Sequence, residues 1–226
     1  MDPLTNSVDF AWLDAPAADV VTTARGLLGW TLAANGVRVR LTEVEAYLGG
    51  GLDGASHANR GRTPRNSVMF GPAGVAYVYQ IYGVHYCVNV VCGQVGEAAA
   101  VLLRAGEVID GLETARQRRP TARADRDLAR GPGCLVRALG LGPADNGSSL
   151  VTGPARLLPP TEKVGDIEAG PRVGVASAHD YPWRFWLKGE PSVSAYKRHT
   201  PKKRSIERHM SKTSTGAEAT PRGRVR

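Results

Sequence analysis

The chain has 226 residues, of which 42% are hydrophobic and 22% charged, and it carries a formal net charge of +8. This length is typical of one domain with a sizeable core. The sequence contains no run of about 18 apolar residues, and it opens without a basic region followed by an apolar stretch. Composition therefore argues against a membrane protein and a secreted protein, and we expect a cytoplasmic location.

The first predicted elements are a helix and a β-hairpin. Apolar residues at helical spacing predict a helix over 15–28, ended by Gly29. The segments 31–34 and 37–47 are rich in strand formers, and the Asn-Gly pair at 35–36 separates them. Because this pair readily adopts positive φ angles, it predicts a tight turn between two antiparallel strands.

A long loop and three further strands are expected next. Residues 48–67 are rich in glycine and polar side chains, and ordered loops of this length are often functional. The segments 75–82 and 84–91 are rich in strand formers and are hinged at Gly83, and 98–105 is a third apolar run. Together they predict the continuation of an antiparallel sheet.

The second half of the chain is expected to contain two helices, over 106–118 and 132–139. Residues 140–170 are rich in loop formers, and the segments 171–177 and 184–189 predict closing strands. Helices that follow and flank an antiparallel sheet indicate an α+β fold in a single mixed domain.

The C-terminal segment 197–226 concentrates the basic charge. It contains ten Lys or Arg against Glu207 and Glu218, so it carries 10 − 2 = +8, and the remainder of the chain is formally neutral. Because the segment has few large apolar residues, we expect a folded domain over 1–196 and a basic, disordered tail over 197–226. The tail either attracts nucleic-acid phosphates or serves only solubility, and its sequence leaves both interpretations open.

The cysteines do not form a pattern typical of a disulfide scaffold or a metal centre. They are three in number, Cys87, Cys92 and Cys134, and the nearest pair has four residues between its members. No second ligand pair accompanies it at the spacing that zinc sites use. We therefore expect no metal site and no cofactor.

Two carboxylates occupy one face of the second predicted strand. Glu43, Glu45 and Tyr47 alternate along the strand, so their side chains share a side. The two glutamates are spaced roughly 6.6–6.8 Å along the strand, which overlaps the roughly 6.5–9.5 Å carboxylate separation of inverting sugar hydrolases. The alternative is an ordinary solvent-exposed strand face, and the spacing alone does not decide between them.

Four tyrosines occur within ten residues of the third and fourth predicted strands. Tyr77 and Tyr86 are expected to pack, because aromatic residues are common in strands. Tyr82 stands beside Gly83 at the expected hairpin tip, where a protruding ring is able to wedge between base pairs. Tyr79 has the opposite strand parity, which favours a position in the wall of a pocket behind that wedge.

Several blocks of the chain resemble the 3-methyladenine (alkyladenine) DNA glycosylase family. The resemblance covers roughly residues 15–198, nearly all of the expected globular part. It rests on these blocks, in the same order: ARGLLGW, EVEAYLG with SHANRGRTPRNSVMFGPAG, VYQIYGVHYCVNVVCG, AAAVLLRA, ARGPGCLVRALGL and PRVGVAS. The resemblance implies an α+β fold, a single mixed domain around a curved antiparallel β-sheet with flanking helices and no helix-hairpin-helix.

The resemblance also implies the catalytic residues. The match in EVEAY makes Glu45 the residue that deprotonates the attacking water, and Arg104 is similar to a residue that organises this water and the backbone near Glu45. Glu43 becomes a neighbour of uncertain role. An ionised carboxylate is a suitable base for this step, because glutamate is normally ionised near neutral pH.

Other matched positions are expected to hold the flipped base and the opened duplex. Tyr47, His57 and Tyr79 look like the walls that stack on the base, and Asn89 is similar to a residue that screens its edge. Tyr82 looks like the intercalating wedge. Attraction between aromatic rings and a cationic alkylated purine is of order 1 kcal/mol, so these walls favour damaged bases.

The loop that carries His57 also supplies basic side chains. Arg62 and Arg65 lie in the block SHANRGRTPRNSVMFGPAG, and we expect both to contact DNA phosphates.

The function that the resemblance implies is base excision repair on double-stranded DNA. We expect a nucleoid-associated monomer, because sliding along DNA needs no partner subunit. Alkylated or deaminated purines would be flipped and their N-glycosidic bond hydrolysed. No lysine lies between Thr42 and Arg104, so we expect no Schiff base and an intact abasic site. Two alternatives remain at this point: a non-catalytic nucleic-acid binding module, and a small nucleoside or sugar hydrolase that uses the pair Glu43 and Glu45.

Overall fold

The computed structural model describes residues 8–81 and 83–200, and the fold is built on one antiparallel sheet. The strands are β1 Thr31–Ala34, β2 Val37–Leu48, β3 Ala76–Ile81, β4 His85–Cys92, β5 Ala99–Asp110, β6 Arg156–Leu158, β7 Ile167–Gly170 and β8 Arg184–Leu187. The α-helices are α1 Val20–Gly26, α2 Leu112–Arg118 and α3 Pro132–Leu139. The expected α+β class, in a single domain around a curved antiparallel sheet, is confirmed.

Strand β2 is the centre of the sheet. The main strand order is β3-β4-β5-β2-β1-β6, and β8 also pairs with β2 and carries β7 on its other edge. The first half of β2 pairs with β1 and the residues from Glu43 to Glu45 pair with β8, while β5 runs along the opposite edge. Register shifts between β2 and β5 flank Glu43, and such bulges bend a strand and increase its twist.

The two faces of β2 have different surroundings. Val44 and Ala46 are fully buried in the main hydrophobic core, to which α1 and α3 also contribute. Glu43 and Glu45 are equally buried but lie on the other face, where both contact Arg104. The alternation expected along this strand therefore places aliphatic side chains in the core and carboxylates opposite to it.

Two of the local predictions agree closely with the structure. Asn35 and Gly36 have φ angles of 49° and 77° and join β1 to β2, as the hairpin prediction required. Helix α3 covers Pro132–Leu139, with proline at its start and Gly140 in the left-handed conformation after its end. The helix expected over 15–28 is shorter, because 3₁₀ turns precede α1.

Two predicted elements are wrong in part. Residues 106–110 are not helical but continue β5, because Gly106 and the residues after it pair with β2. A Cβ atom at Gly106 would collide with the carbonyl of Arg40, so only glycine fits this close strand pairing. The segment 171–177 is a loop and not a strand, and β7, immediately before it, pairs with β8 instead.

The ends of the described chain bear on the domain prediction. Lys197 is exposed, and its carbonyl oxygen accepts a hydrogen bond from the Gly174 N–H at 2.9 Å. Most of the expected basic tail, residues 201–226, lies outside the described residues, so the boundary between 1–196 and 197–226 stays a prediction. Within the described ranges, no helix is both long and apolar enough to cross a membrane.

Candidate active site

Glu45 lies in the middle of β2 and its side chain is 0% exposed. The Tyr47 hydroxyl donates to its Oε2 at 2.8 Å, and the Val173 N–H donates to its Oε1 at 2.7 Å. Nη1 of Arg104 lies 3.5 Å from the same Oε1. Burial raises the pKa of the Glu45 carboxyl, and the Arg104 charge and the two hydrogen bonds offset this rise only in part. The site thus holds a carboxylate whose proton affinity is increased.

Glu43 is bound differently, because donors surround both of its oxygens. Its Oε1 accepts from Nε of Arg104 at 2.8 Å, from Nε of Arg184 at 2.6 Å and from the Ser194 hydroxyl at 2.9 Å. Its Oε2 accepts from the Ser194 N–H at 2.7 Å. A carboxylate occupied in this way anchors two guanidinium groups and is poorly suited to activate water. The alternative of a small nucleoside or sugar hydrolase needs two functional carboxylates, Glu43 and Glu45, and the contacts of Glu43 argue against it.

Arg104 connects the two acids. It projects from β5, is 7% exposed, and contacts Glu43 through Nε and Glu45 through Nη1. Nη2 also donates to the Ser194 hydroxyl at 3.2 Å. The planar guanidinium therefore has a fixed orientation, with one edge on Glu43 and one nitrogen left close to Glu45.

An aromatic cluster lies on β3 and on the loop between β2 and β3. The rings of His57 and Tyr79 are 4.5 Å apart in an edge-to-face arrangement, and those of Tyr77 and Tyr79 are 5.4 Å apart. Nδ1 of His57 is 3.0 Å from the Tyr77 hydroxyl. Burial and the charge of Arg65 lower the pKa of His57, so the neutral imidazole is favoured. Tyr77 thus orients His57 in addition to packing.

The sequence comparisons assign the chain to a family. The family model described as Methylpurine-DNA glycosylase (MPG) matches residues 14–191. The chain belongs to this family. It is a DNA glycosylase, an N-glycosyl hydrolase of base excision repair.

Several methylpurine-DNA glycosylase relatives are similar over most of their length. A protein of Nocardia farcinica is 57% identical over 188 residues, which is 80% of this chain and 88% of that protein. A protein of Rhodococcus jostii is 50% identical over 198 residues, covering 85% and 88% of the two chains. A protein of Mycobacterium tuberculosis is 52% identical over 190 residues, covering 80% and 92%. All three carry the name "Putative 3-methyladenine DNA glycosylase".

The structure of this glycosylase brings the expected residues together in two groups. Glu45, Tyr47 and Arg104 are in direct contact, and His57 and Tyr79 form the aromatic group. Glu45 lies in one cross-strand row with Leu102 of β5, Asn89 of β4 and Tyr77 of β3, so both groups lie on the same face of the sheet. Burial raises the pKa of the Tyr79 hydroxyl, and the negative charge of Glu45 adds to this rise.

Two of the remaining expected residues, Asn89 and Arg65, contact the aromatic group. Asn89 is buried, and its amide donates to the Tyr77 carbonyl at 3.0 Å. Arg65 is exposed, donates to the Gln80 carbonyl at 3.1 Å, and lies 5.9 Å from the centre of the Tyr79 ring. Arg62 is exposed in the same loop. Tyr82, the expected wedge, lies outside the described residues.

Two residues of the glycosylase site were not singled out from the sequence. Arg172 and Asp53 form a fully buried ion pair, with Nη1 of Arg172 at 2.6 Å from Oδ2 of Asp53. The guanidinium also lies 4.6 Å from the centre of the Tyr47 ring. Arg172 lies in the block PRVGVAS, which carries part of the family resemblance, so a charged side chain in that block was the available signal.

Proposed function

We propose that this glycosylase is monofunctional: it flips an alkylated or deaminated purine out of double-stranded DNA and hydrolyses its N-glycosidic bond with a water that Glu45 activates. The observation that carries the proposal is the buried Glu45 carboxylate, held by Tyr47, Val173 and Arg104. A base with a raised pKa is better matched to proton transfer near neutral pH than an ordinary glutamate.

In the proposed reaction, the water oxygen forms a bond to C1′ of the flipped nucleotide while the bond from C1′ to the purine nitrogen breaks. The bonding electrons leave with the purine, and a cationic alkylated purine thereby becomes neutral. Glu45 accepts one proton of the water, and the product is an intact abasic site. The absence of lysine between Thr42 and Arg104 supports a direct hydrolysis without a Schiff base.

The other residues would bind the substrate. Tyr47, His57 and Tyr79 supply ring surfaces for a flipped base, and aromatic faces attract the positive charge of alkylated purines. Asn89 would screen the base edge, because its amide is buried and held by the Tyr77 carbonyl. Such polar contacts restrict which purines fit.

The duplex would be held outside the pocket. Arg62 and Arg65 are exposed in the loop that carries His57, and both would contact phosphates. Tyr82 would fill the space that the flipped nucleotide leaves, at an unstacking cost of a few kcal/mol. A monomer is sufficient for this scheme.

The test compares Glu45→Gln with Glu190→Gln on duplexes that contain 7-methylguanine, 3-methyladenine, hypoxanthine or ethenoadenine. Glu190 is the control, because it is a glutamate paired with an arginine, Arg40, and is partly exposed, whereas Glu45 is fully buried. We expect Glu45→Gln to bind damaged duplex normally and to release no base in single-turnover assays, while Glu190→Gln retains excision. Retained base release by Glu45→Gln would contradict the proposal.

Protein stability provides a second control in this test. The raised pKa of Glu45 means that the fold favours the protonated form, so the ionised carboxylate costs stability at neutral pH. Glu45→Gln removes that charge and is expected to unfold at the same or a higher temperature than the wild type. Binding of damaged duplex by a wild-type protein that releases no base would instead indicate a non-catalytic binding module.

A further inference from the structure

Arg172 is held in a fixed orientation in the interior of the protein. It is 1% exposed, and its Nη1 and Nη2 donate to the two carboxylate oxygens of Asp53 at 2.6 and 2.7 Å. Nη1 also donates at 2.8 Å to the carbonyl of Ala46, the residue between Glu45 and Tyr47. This two-pronged arrangement uses the fork shape of guanidinium and is not available to a lysine.

Arg172 is adjacent to two of the groups that hold the Glu45 carboxylate. Its guanidinium lies 4.6 Å from the centre of the Tyr47 ring, and the Tyr47 hydroxyl donates to Oε2 of Glu45. Val173, the next residue in the chain, donates its N–H to Oε1 of Glu45 at 2.7 Å. Displacement of Arg172 would therefore disturb the donors on both carboxylate oxygens.

Asp53 extends the same connection to the loop that carries His57. Its carboxylate accepts from the N–H groups of Leu48 at 3.2 Å and Ala55 at 3.0 Å, in addition to Arg172. The ion pair thus joins the end of β2, the loop after it and the loop before β8.

A purely stabilising role does not account for this arrangement. A buried ion pair often contributes less to stability than apolar side chains of similar size, because both charges lose their hydration. Besides Asp53, the Ala178 carbonyl and the Trp183 ring, Arg172 contacts the Ala46 carbonyl and the Tyr47 ring, which are next to Glu45 in the strand. A displacement of about 1 Å in a catalytic geometry can reduce a rate about 100-fold.

We propose that Arg172, oriented by Asp53, is a positioning residue that fixes the Glu45 carboxylate and the Tyr47 ring in their working geometry. The inference rests on the proposed role of Glu45 as the base. Neither Arg172 nor Asp53 needs to touch the substrate, since both act through Glu45 and Tyr47.

The charge of Arg172 also bears on the protonation of Glu45. The titratable or charged groups near Glu45 come from four strands, β2 to β5, and from the loop before β8. They are Glu43, Tyr47, Tyr79, Cys87, Arg104 and Arg172. Two further charged groups form ion pairs with members of this set: Asp53 with Arg172, and Arg184 with Glu43. Asp53→Asn would leave the Arg172 charge uncompensated. It is therefore expected to favour ionised Glu45 and to move the acid limb of the excision profile to lower pH.

The test uses Arg172→Lys, Asp53→Asn and the double variant R172M/D53N, which removes both charges together. Leu157→Ala is the stability control, because Leu157 is 2% exposed in β6, the strand at the far end of the main sheet. Single-turnover excision, affinity for damaged duplex and the unfolding temperature are measured for each. We expect the excision rate constant of Arg172→Lys and of the double variant to fall about 10- to 100-fold, with duplex affinity changed less than about threefold.

The outcomes separate positioning from stability. Excision by these variants at the level of Leu157→Ala, compared at equal distance below each unfolding temperature, would overturn the inference. An acid limb of Asp53→Asn that does not move to lower pH would overturn it as well. The Glu45→Gln result is independent of both, so failure of the proposed function is recognised by retained excision in that variant alone.

Discussion

Nε of Arg104 donates to Oε1 of Glu43 over 2.8 Å, and both side chains are buried. The same oxygen accepts from Arg184, so a single carboxylate compensates two guanidinium groups. Glu43, whose role was uncertain from the sequence, is therefore an anchor for the arginine that reaches Glu45. Its contribution is structural and electrostatic, and it differs from the role proposed for the other glutamate.

Glu43→Gln tests this relationship. The substitution keeps the shape of the side chain but removes the counter-charge of Arg184 and leaves Arg104 with Glu45 alone. Breaking a buried ion pair typically costs about 3–5 kcal/mol. We expect the free energy of unfolding in urea to fall by about 3 kcal/mol, within this range. Glu190→Gln, at the more exposed pair with Arg40, is expected to change it by less than about 1 kcal/mol. Equal losses in the two variants would argue against the anchor.

The pH dependence of excision should report the environment of Glu45. Burial raises the pKa of Glu45, so its carboxylate becomes protonated on acidification before an exposed glutamate would. For 7-methylguanine, which stays cationic throughout the acid range, we expect the single-turnover rate constant to fall with a midpoint above the ordinary glutamate value of 4.5. Tryptophan fluorescence at each pH controls for unfolding. A rate constant that stays level down to pH 4.5 would contradict this assignment.

Tyr77→Phe tests the orientation of His57. The variant removes the hydroxyl that lies 3.0 Å from Nδ1 of His57 but keeps the ring, which is 2% exposed. Loss of one such hydrogen bond costs about 1 kcal/mol, so we expect roughly fivefold weaker binding of damaged duplex and little change in fold. Tyr86→Phe on β4 is the matched control. Equal affinities for the two variants would remove Tyr77 from the site.

Residues 201–226 should influence the salt dependence of DNA binding. They contain eight Lys or Arg against two Glu. Each phosphate neutralised adds about 0.9 to the slope of log affinity against log salt concentration, so truncation after Thr200 is expected to flatten this slope. The truncation is placed after Thr200 and not after Tyr196, because a truncation after Tyr196 would remove the Lys197 carbonyl that accepts from the Gly174 N–H. A tail of equal length with glutamine in place of lysine and arginine is the control. An unchanged slope after truncation would show that the tail does not contribute to DNA binding.

The sequence predicted the elements that depend on local chemistry. The turn at Asn35 and Gly36 and the limits of α3 follow from residues that favour one backbone conformation, so neighbouring side chains are sufficient to predict them. The end of β5 does not follow in this way. Residues 106–110 remain extended because they pair with β2, a partner that is distant in sequence.

The same distinction applies to the site. Alternation along β2 correctly placed Glu45 and Tyr47 on one side, where the tyrosine hydroxyl binds the carboxylate. Arg172 and Asp53 were missed because they are 119 residues apart, and no local pattern pairs a loop arginine with such a distant acid. The strand expected at 171–177 is absent, because the Val173 N–H donates to Glu45 and the Arg172 side chain binds Asp53.

The two-faced character of β2 has a consequence for how this enzyme tolerates sequence change. A one-residue insertion or deletion between Leu41 and Glu43 would rotate every later side chain of the strand to the other side. Val44 and Ala46 would then enter the reaction centre, and Glu43 and Glu45 would enter the hydrophobic core. Length variants in this short stretch are thus expected to abolish folding and repair together, whereas point substitutions there can still separate them.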